Sequence, residues 1–165
     1  MKTYIGIDIG LQGAIVVNKN GEFKKYPMPV IGNQINIHVL VALIEKYKEE
    51  TSNDLLVVFE QLGLIFKSSK ATAFSMGKQK GILEGILIAL KVPFAEVRAV
   101  DWQKEMFAGV DPIYKSGKNT RDTKKMALVA VRRLFPDEKL TFAKKEHDGL
   151  IDALLMSEYA KRKSF

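Results

Sequence analysis

The chain has no cysteine among its 165 residues, which excludes both disulfides and thiolate metal ligands. Any bound ion must then be held by carboxylates or by the two histidines, His38 and His147, and hard oxygen donors suit magnesium or manganese. Nowhere do eighteen apolar residues run uninterrupted, and MKTYIGIDIG enters a strand-like run without a basic region ahead of a long apolar one. Neither a membrane span nor a secretory leader is therefore expected, and the expected location is the cytoplasm. Internal repeats, low-complexity tracts and linkers are also missing, so residues 1–165 are expected to form a single domain. Acidic charge is in deficit: 26 Lys and Arg against 19 Asp and Glu give a net +7. That balance favours a polyanionic partner, with nucleic acid the leading class, although a solvated basic face needs no partner at all.

What the chain does contain is pattern. Over residues 4–10, Ile5, Ile7 and Ile9 alternate with Gly6, Asp8 and Gly10, as in a strand with one apolar face. Gly13 and residues 14–17 predict a second strand, and Asn20-Gly21 predicts a tight hairpin turn into a third at 22–26. Pro27 and Pro29 close that antiparallel unit. Ile37, Leu40, Val41 and Ile44 recur at helical spacing over 36–47, and residues 54–59 form the kind of apolar run buried in parallel strands. The predicted order is β-β-β-α-β, followed by a long helix over 71–90. In that helix Ala73, Gly77, Gly81, Gly85 and Ala89 fall every fourth residue. Each helical glycine costs about 1 kcal/mol relative to alanine, so a close backbone neighbour, either the sheet or a second subunit, is expected against the strip. A strand at 93–97, a short helix around Trp102, a polar loop over 108–120 and helices over 121–135 and 148–161 complete the reading.

Four acids stand out. Asp8 lies in a strand among isoleucines, where an unpaired carboxylate is expensive to bury and aspartate is disfavoured; its flanking glycines are expected to clear that face for an ion and a phosphate. Glu60 ends the run Leu-Leu-Val-Val-Phe at the carboxyl end of a central strand, where open sheets bind ligands. In HDGLIDALL, Asp148 and Asp152 stand four residues apart and share a helical face. They repel one another unless a divalent cation lies between them. Asp148 also reads as a helix N-cap, whereas Asp152 lies beside Ile151 and Leu155 on the side that packs. No single acid is diagnostic. Acids on a first strand, a later central strand and a final helix together form a moderately specific constellation.

The order of elements and acids resembles the RuvC-type Holliday junction resolvases of the ribonuclease H-like superfamily, over nearly the whole chain. IGIDIGLQGA resembles the family's first-strand motif, with Asp8 at the catalytic aspartate position and Ile9 where many bacterial members have proline. LLVVFEQ resembles the motif that places the second acid, here Glu60, at the end of the fourth strand. HDGLIDALL resembles the C-terminal acidic motif, in a form closer to phage than to bacterial members. Many bacterial members space that last acid pair by three residues; here the spacing is four, and Gly149 occupies the alternative position. Trp102 with Lys104 is similar to a tryptophan-lysine element of phage-type relatives, although a lone tryptophan is more often core.

The resemblance implies an α/β ribonuclease H-like fold, a mixed five-stranded sheet of three antiparallel and then parallel strands flanked by helices. It implies a homodimer with the helix after Glu60 at or near its interface, and a bacterial or phage-infected cell as its setting. The expected activity is metal-dependent resolution of four-way junctions and other branched DNA, with Asp8, Glu60, Asp148 and Asp152 holding two Mg2+, or Mn2+ in substitution, for in-line attack on a phosphodiester. Phe66, with Leu64 and Ile65, is expected as a wedge near the junction centre, and Lys67, Lys70, Lys115, Lys118, Arg121, Lys124 and Lys125 as phosphate contacts. His147 is expected either to orient a water or to serve the helix start. Three rivals remain: a nuclease of the same fold acting on flaps, forks or structured RNA, a DNA-binding module without chemistry, and an actin-like nucleotide-binding protein. The last is disfavoured by the short length and by the want of a second glycine-rich phosphate loop.

Overall fold

The computed structural model describes residues 2–52, 54–63, 69–142 and 146–165. The elements are β1 (Thr3–Asp8), β2 (Ala14–Lys19), β3 (Glu22–Pro27), β4 (Val30–Ile31), β5 (Gln34–Ile35), α1 (Ile37–Glu50), β6 (Leu55–Glu60), α2 (Lys70–Ala89), β7 (Phe94–Val97), α3 (Ala99–Met106), α4 (Thr123–Leu134) and α5 (Asp148–Lys163). The expected Asn20-Gly21 turn is there, with both residues at positive φ, 59° and 91°. That twist suits the right-handed twist of the strands it joins.

The main sheet runs β3-β2-β1-β6-β7. β1 pairs antiparallel with β2 and parallel with β6, Ile7 opposite Phe59, and β6 pairs parallel with β7. The alternation of β1 sends Ile5 and Ile7 to one face, where Leu40 and Ile44 of α1 and Leu83 and Leu87 of α2 cover them. The other face, with Tyr4, Val16 and Val58, is covered by Leu150, Leu154 and Leu155 of α5 and by residues of α3 and α4. Both faces of β6 are thus under helices, which is why Leu55 to Phe59 can be apolar without alternation.

α5 crosses β1 with no side chain between them. A Cβ at Gly6 would lie 1.9 Å from the Ala153 carbonyl oxygen, so helix and strand touch backbone to backbone. The glycine expected to clear space for an ion clears it for a helix instead, whereas a Cβ at Gly10 would have only the Gly13 nitrogen near it, at 3.9 Å. The small residues that meet the strand are Gly149, Ala153 and Ser157, spaced by four on α5. Among the described residues the strip foreseen on α2 has no such neighbour, since a Cβ at Gly77, Gly81 or Gly85 would meet none of them within 4 Å. The expectation that the sheet approaches this strip is therefore corrected; the first half of α2 leaves Phe74 exposed at 74%. A two-stranded ribbon, β4 with β5, was not foreseen in the sequence, being too short at two residues a strand to show a period. α4 starts two residues later than expected, because Asp122 caps it by accepting from the Lys125 backbone N–H at 3.2 Å.

Candidate active site

Asp8 ends β1, and its carboxylate points at the start of α5. A Cβ at Gly149 would stand 2.6 Å from Asp8 Oδ2, 2.9 Å from Gly13 Cα and 3.0 Å from the Gln12 carbonyl oxygen. The first turn of α5 is therefore seated on the carboxylate and on the turn that follows β1. This packing excludes a side chain at 149, so an acid pair spaced by three residues has no room here, and the second acid falls at Asp148. The helix N-cap is His147 rather than Asp148: its Nδ1 accepts from the Leu150 backbone N–H at 3.1 Å, and its ring meets Phe142 edge-on at 4.9 Å. Asp148 is left exposed in the first turn, where the partial positive charge of the helix end favours it.

The acids from the two strands and the helix feel one another. Burial is the chief cause that raises Asp8 above the usual carboxylate range; His147 and Lys124 oppose the rise and Asp148 adds to it. Glu60 is raised in the same way, chiefly by burial, with Asp8 contributing and a hydrogen bond opposing. That bond is donated by the Trp102 indole Nε1 to Glu60 Oε2 at 3.1 Å. Glu60 is exposed as a residue, yet its carboxylate lies against the indole, and displaced water accounts for the shift. Asp152 is pushed up to about 7, first by burial and then by the charges of Asp8, Glu60 and Asp148. Asp8, Glu60 and Asp148 are thus all within electrostatic reach of Asp152, with Asp8 and Glu60 at the carboxyl ends of two parallel neighbours.

Among the described residues, Lys124 reaches them directly. Lys124 donates to Asp148 Oδ2 at 2.6 Å, and it also interacts with Asp152 and Asp8, which together raise its own pKa. Partly buried carboxylates that repel one another, with Lys124 compensating only in part, are by chemistry a donor set for a hard divalent ion. The tight spacing of a finished cage is not there: among the described residues, no three carboxylates or imidazoles are grouped closely enough to hold a metal. The residues fit such an ion by kind and by charge, with Lys124 occupying part of the space.

Two of these contacts were not assigned from the sequence. Trp102 was foreseen mainly as core, and it is 1% exposed, but its one polar atom serves Glu60. Lys124 was foreseen only as one of several phosphate contacts. Lys115, Lys118 and Arg121 lie exposed on a turn closed by a bridge between Tyr114 and Arg121 and by a Lys115 N–H bond to the Thr120 carbonyl at 2.9 Å. Lys125 lies 3.7 Å from Asp122, and Lys70 opens α2 on the surface. Phe66 and Lys67, with Leu64 and Ile65, fall outside the described residues. None of the described helices is long and apolar enough to cross a membrane.

No protein-family model matches the chain, and no curated protein does. Among solved structures, Thermus thermophilus RuvC in complex with a Holliday junction substrate matches with a TM-score of 0.62 at 13% identity, covering 99% of this chain and 95% of that one. A further structure of Thermus thermophilus RuvC matches with a TM-score of 0.58 at 15% identity, covering 98% and 96%. The fold is that of RuvC. The RuvC-like, ribonuclease H-like sheet of three antiparallel and then parallel strands is the architecture expected from the order of elements.

Proposed function

We propose that this protein is a divalent-metal-dependent endonuclease that resolves four-way junctions and related branched DNA. The observation that carries the reading is the electrostatic convergence of Asp8, Glu60, Asp148 and Asp152, three of them raised in pKa, at one edge of a RuvC-like sheet. Four carboxylates that repel one another, with Lys124 and His147 offsetting only part of the repulsion, are poor for stability and suited to holding cations. The net charge of +7 supports a nucleic-acid substrate, and the similar RuvC structure is one bound to a Holliday junction.

In this reading Asp8, Glu60, Asp148 and Asp152 hold Mg2+, with Mn2+ able to replace it. The bound ions supply an activated water and stabilise the departing 3′ oxygen. Trp102 fixes the rotamer of Glu60, Gly149 lets the first turn of α5 close on Asp8, and Lys124 balances the acids until a cation or a phosphate takes its place. Lys115, Lys118, Arg121 and Lys125 line up the DNA backbone without reading bases, Lys67 and Lys70 add phosphate contacts, and Phe66 serves as the wedge near the junction centre. Two copies pairing through the open face of α2 place two such sites on one four-way substrate.

The test compares labelled junction, fork, duplex and RNA-hairpin substrates with magnesium and with EDTA. Asp8→Asn is expected to abolish magnesium-dependent cleavage of the junction while binding persists. Undiminished cleavage by a pure Asp8→Asn preparation would refute the assignment, and preferential cutting of forks or RNA would move the function to another nuclease of this fold.

A further inference from the structure

Between them, α3 and α4 leave a groove of about 460 Å³, a volume in the range of sites for small molecules, roughly 300–1,000 Å³. Its apolar lining includes Phe107, Pro112 and Met126, and its polar lining Gln103, Lys104 and Arg121. Lys104 and Arg121 are exposed, and neither has an ion-pair partner among the described residues. Gln103 makes no side-chain hydrogen bond there either, so its amide offers both a donor and an acceptor.

The walls of this groove are tied to the acids. Gln103 follows Trp102, whose indole holds Glu60, and Phe107 packs edge-on against that same indole at 5.9 Å. On the other side Thr123, which also lines the groove, precedes Lys124, whose ammonium holds Asp148. Trp102 thus links the groove wall to Glu60 through two direct contacts.

We propose that the groove receives one unpaired nucleotide flanking the scissile phosphate, its base on the surface formed by Val100 and Phe107 and its phosphates against Lys104 and Arg121. An apolar surface with cations at its edge matches the two halves of a nucleotide, and such stacking accepts any base. A paired duplex keeps its base faces stacked inside the helix and can engage only the cations. The proposal rests on the nuclease reading and names the form of DNA that the site takes.

The experiment is done in EDTA, so that no cleavage is needed. Fluorescence anisotropy compares a labelled oligothymidylate with a duplex of equal length on the whole protein, on Val100→Glu and on Val129→Glu. Val100 lines the groove and is 65% exposed, whereas Val129 is 43% exposed on α4 and does not line it, so the second variant makes the same charge change elsewhere. Val100→Glu is expected to bind the single strand roughly tenfold more weakly than Val129→Glu does, with a smaller loss on the duplex, which meets only Lys104 and Arg121. Photo-crosslinking of an oligonucleotide carrying 5-iodouracil is expected to map to Phe107. Equal losses in the two variants, or crosslinks found only outside the groove, would overturn the proposal. Neither result bears on cleavage: a protein that cuts junctions but fails here loses only the groove, and one that passes here but never cuts loses the nuclease reading.

Discussion

Asp152 shows at the scale of one residue how the site works against the fold. Its unfolded value is near 3.8 and its folded value about 7, so between those pH values the folded protein binds more protons than the unfolded chain. Stability therefore falls as pH rises through that window. Without divalent ions, the melting temperature is expected to drop from pH 5 to pH 8, and Asp152→Asn to flatten the drop and to melt higher than the wild type at pH 8. Magnesium at pH 8 is expected to raise the wild type more than the variant, because an ion that binds only the folded state stabilises it. A wild-type melting temperature that climbs from pH 5 to pH 8 in EDTA would contradict the arrangement. Trp102→Phe removes the donor that holds Glu60. Loss of an outer-shell partner of this type reduces metal affinity or activity by about 10- to 100-fold; a magnesium titration of cleavage is expected to shift to higher concentration by that order. At this scale the acids were legible in the sequence because carboxylates in apolar company are anomalous. Trp102 and Lys124 were not, since an indole in a core and one lysine within a basic run look ordinary until their partners are seen.

Among the elements, the contact of α5 on β1 is the tightest. Gly6→Ala places a methyl group 1.9 Å from the Ala153 carbonyl oxygen, a backbone atom that cannot step aside. A loss of about 2–3 kcal/mol in a denaturant titration is expected, together with weakened cleavage, because the helix carrying Asp148 and Asp152 must lift. The opposite behaviour is expected on α2. Gly81→Ala and Gly85→Ala add methyl groups to open space and are expected to stabilise the isolated chain by about 1 kcal/mol each. If that face is where two copies meet, the same changes weaken the dimer in sedimentation, and stabilisation without any change in association would remove α2 from the interface. The two glycine patterns look alike in the sequence, since spacing reveals a small-residue face but not what lies against it. Strands β1 to β3, the parallel run of β6 and the final helix were legible because hydrophobic period and turn chemistry agree there. β4 and β5 hold only to each other and leave no periodic trace.

For the whole molecule, the positive charge is the property that reaches furthest. Lys118 and Arg121 lie exposed on the turn before α4, and replacing both by alanine is expected to lower junction affinity and to reduce the salt slope by about 1 for each phosphate no longer neutralised. An unchanged slope would take the turn out of the interface. The sheet also joins distant parts of the polypeptide: β1, near the first residues, lies under α5, near the last. Asp8 leaves the ribosome long before Asp152 does, and neither has its neighbours until the helix has settled on Gly6. A growing or prematurely ended polypeptide thus carries only part of the acid set, so the complete cluster arrives with the closing of the fold and is withheld from every fragment that stops short of it.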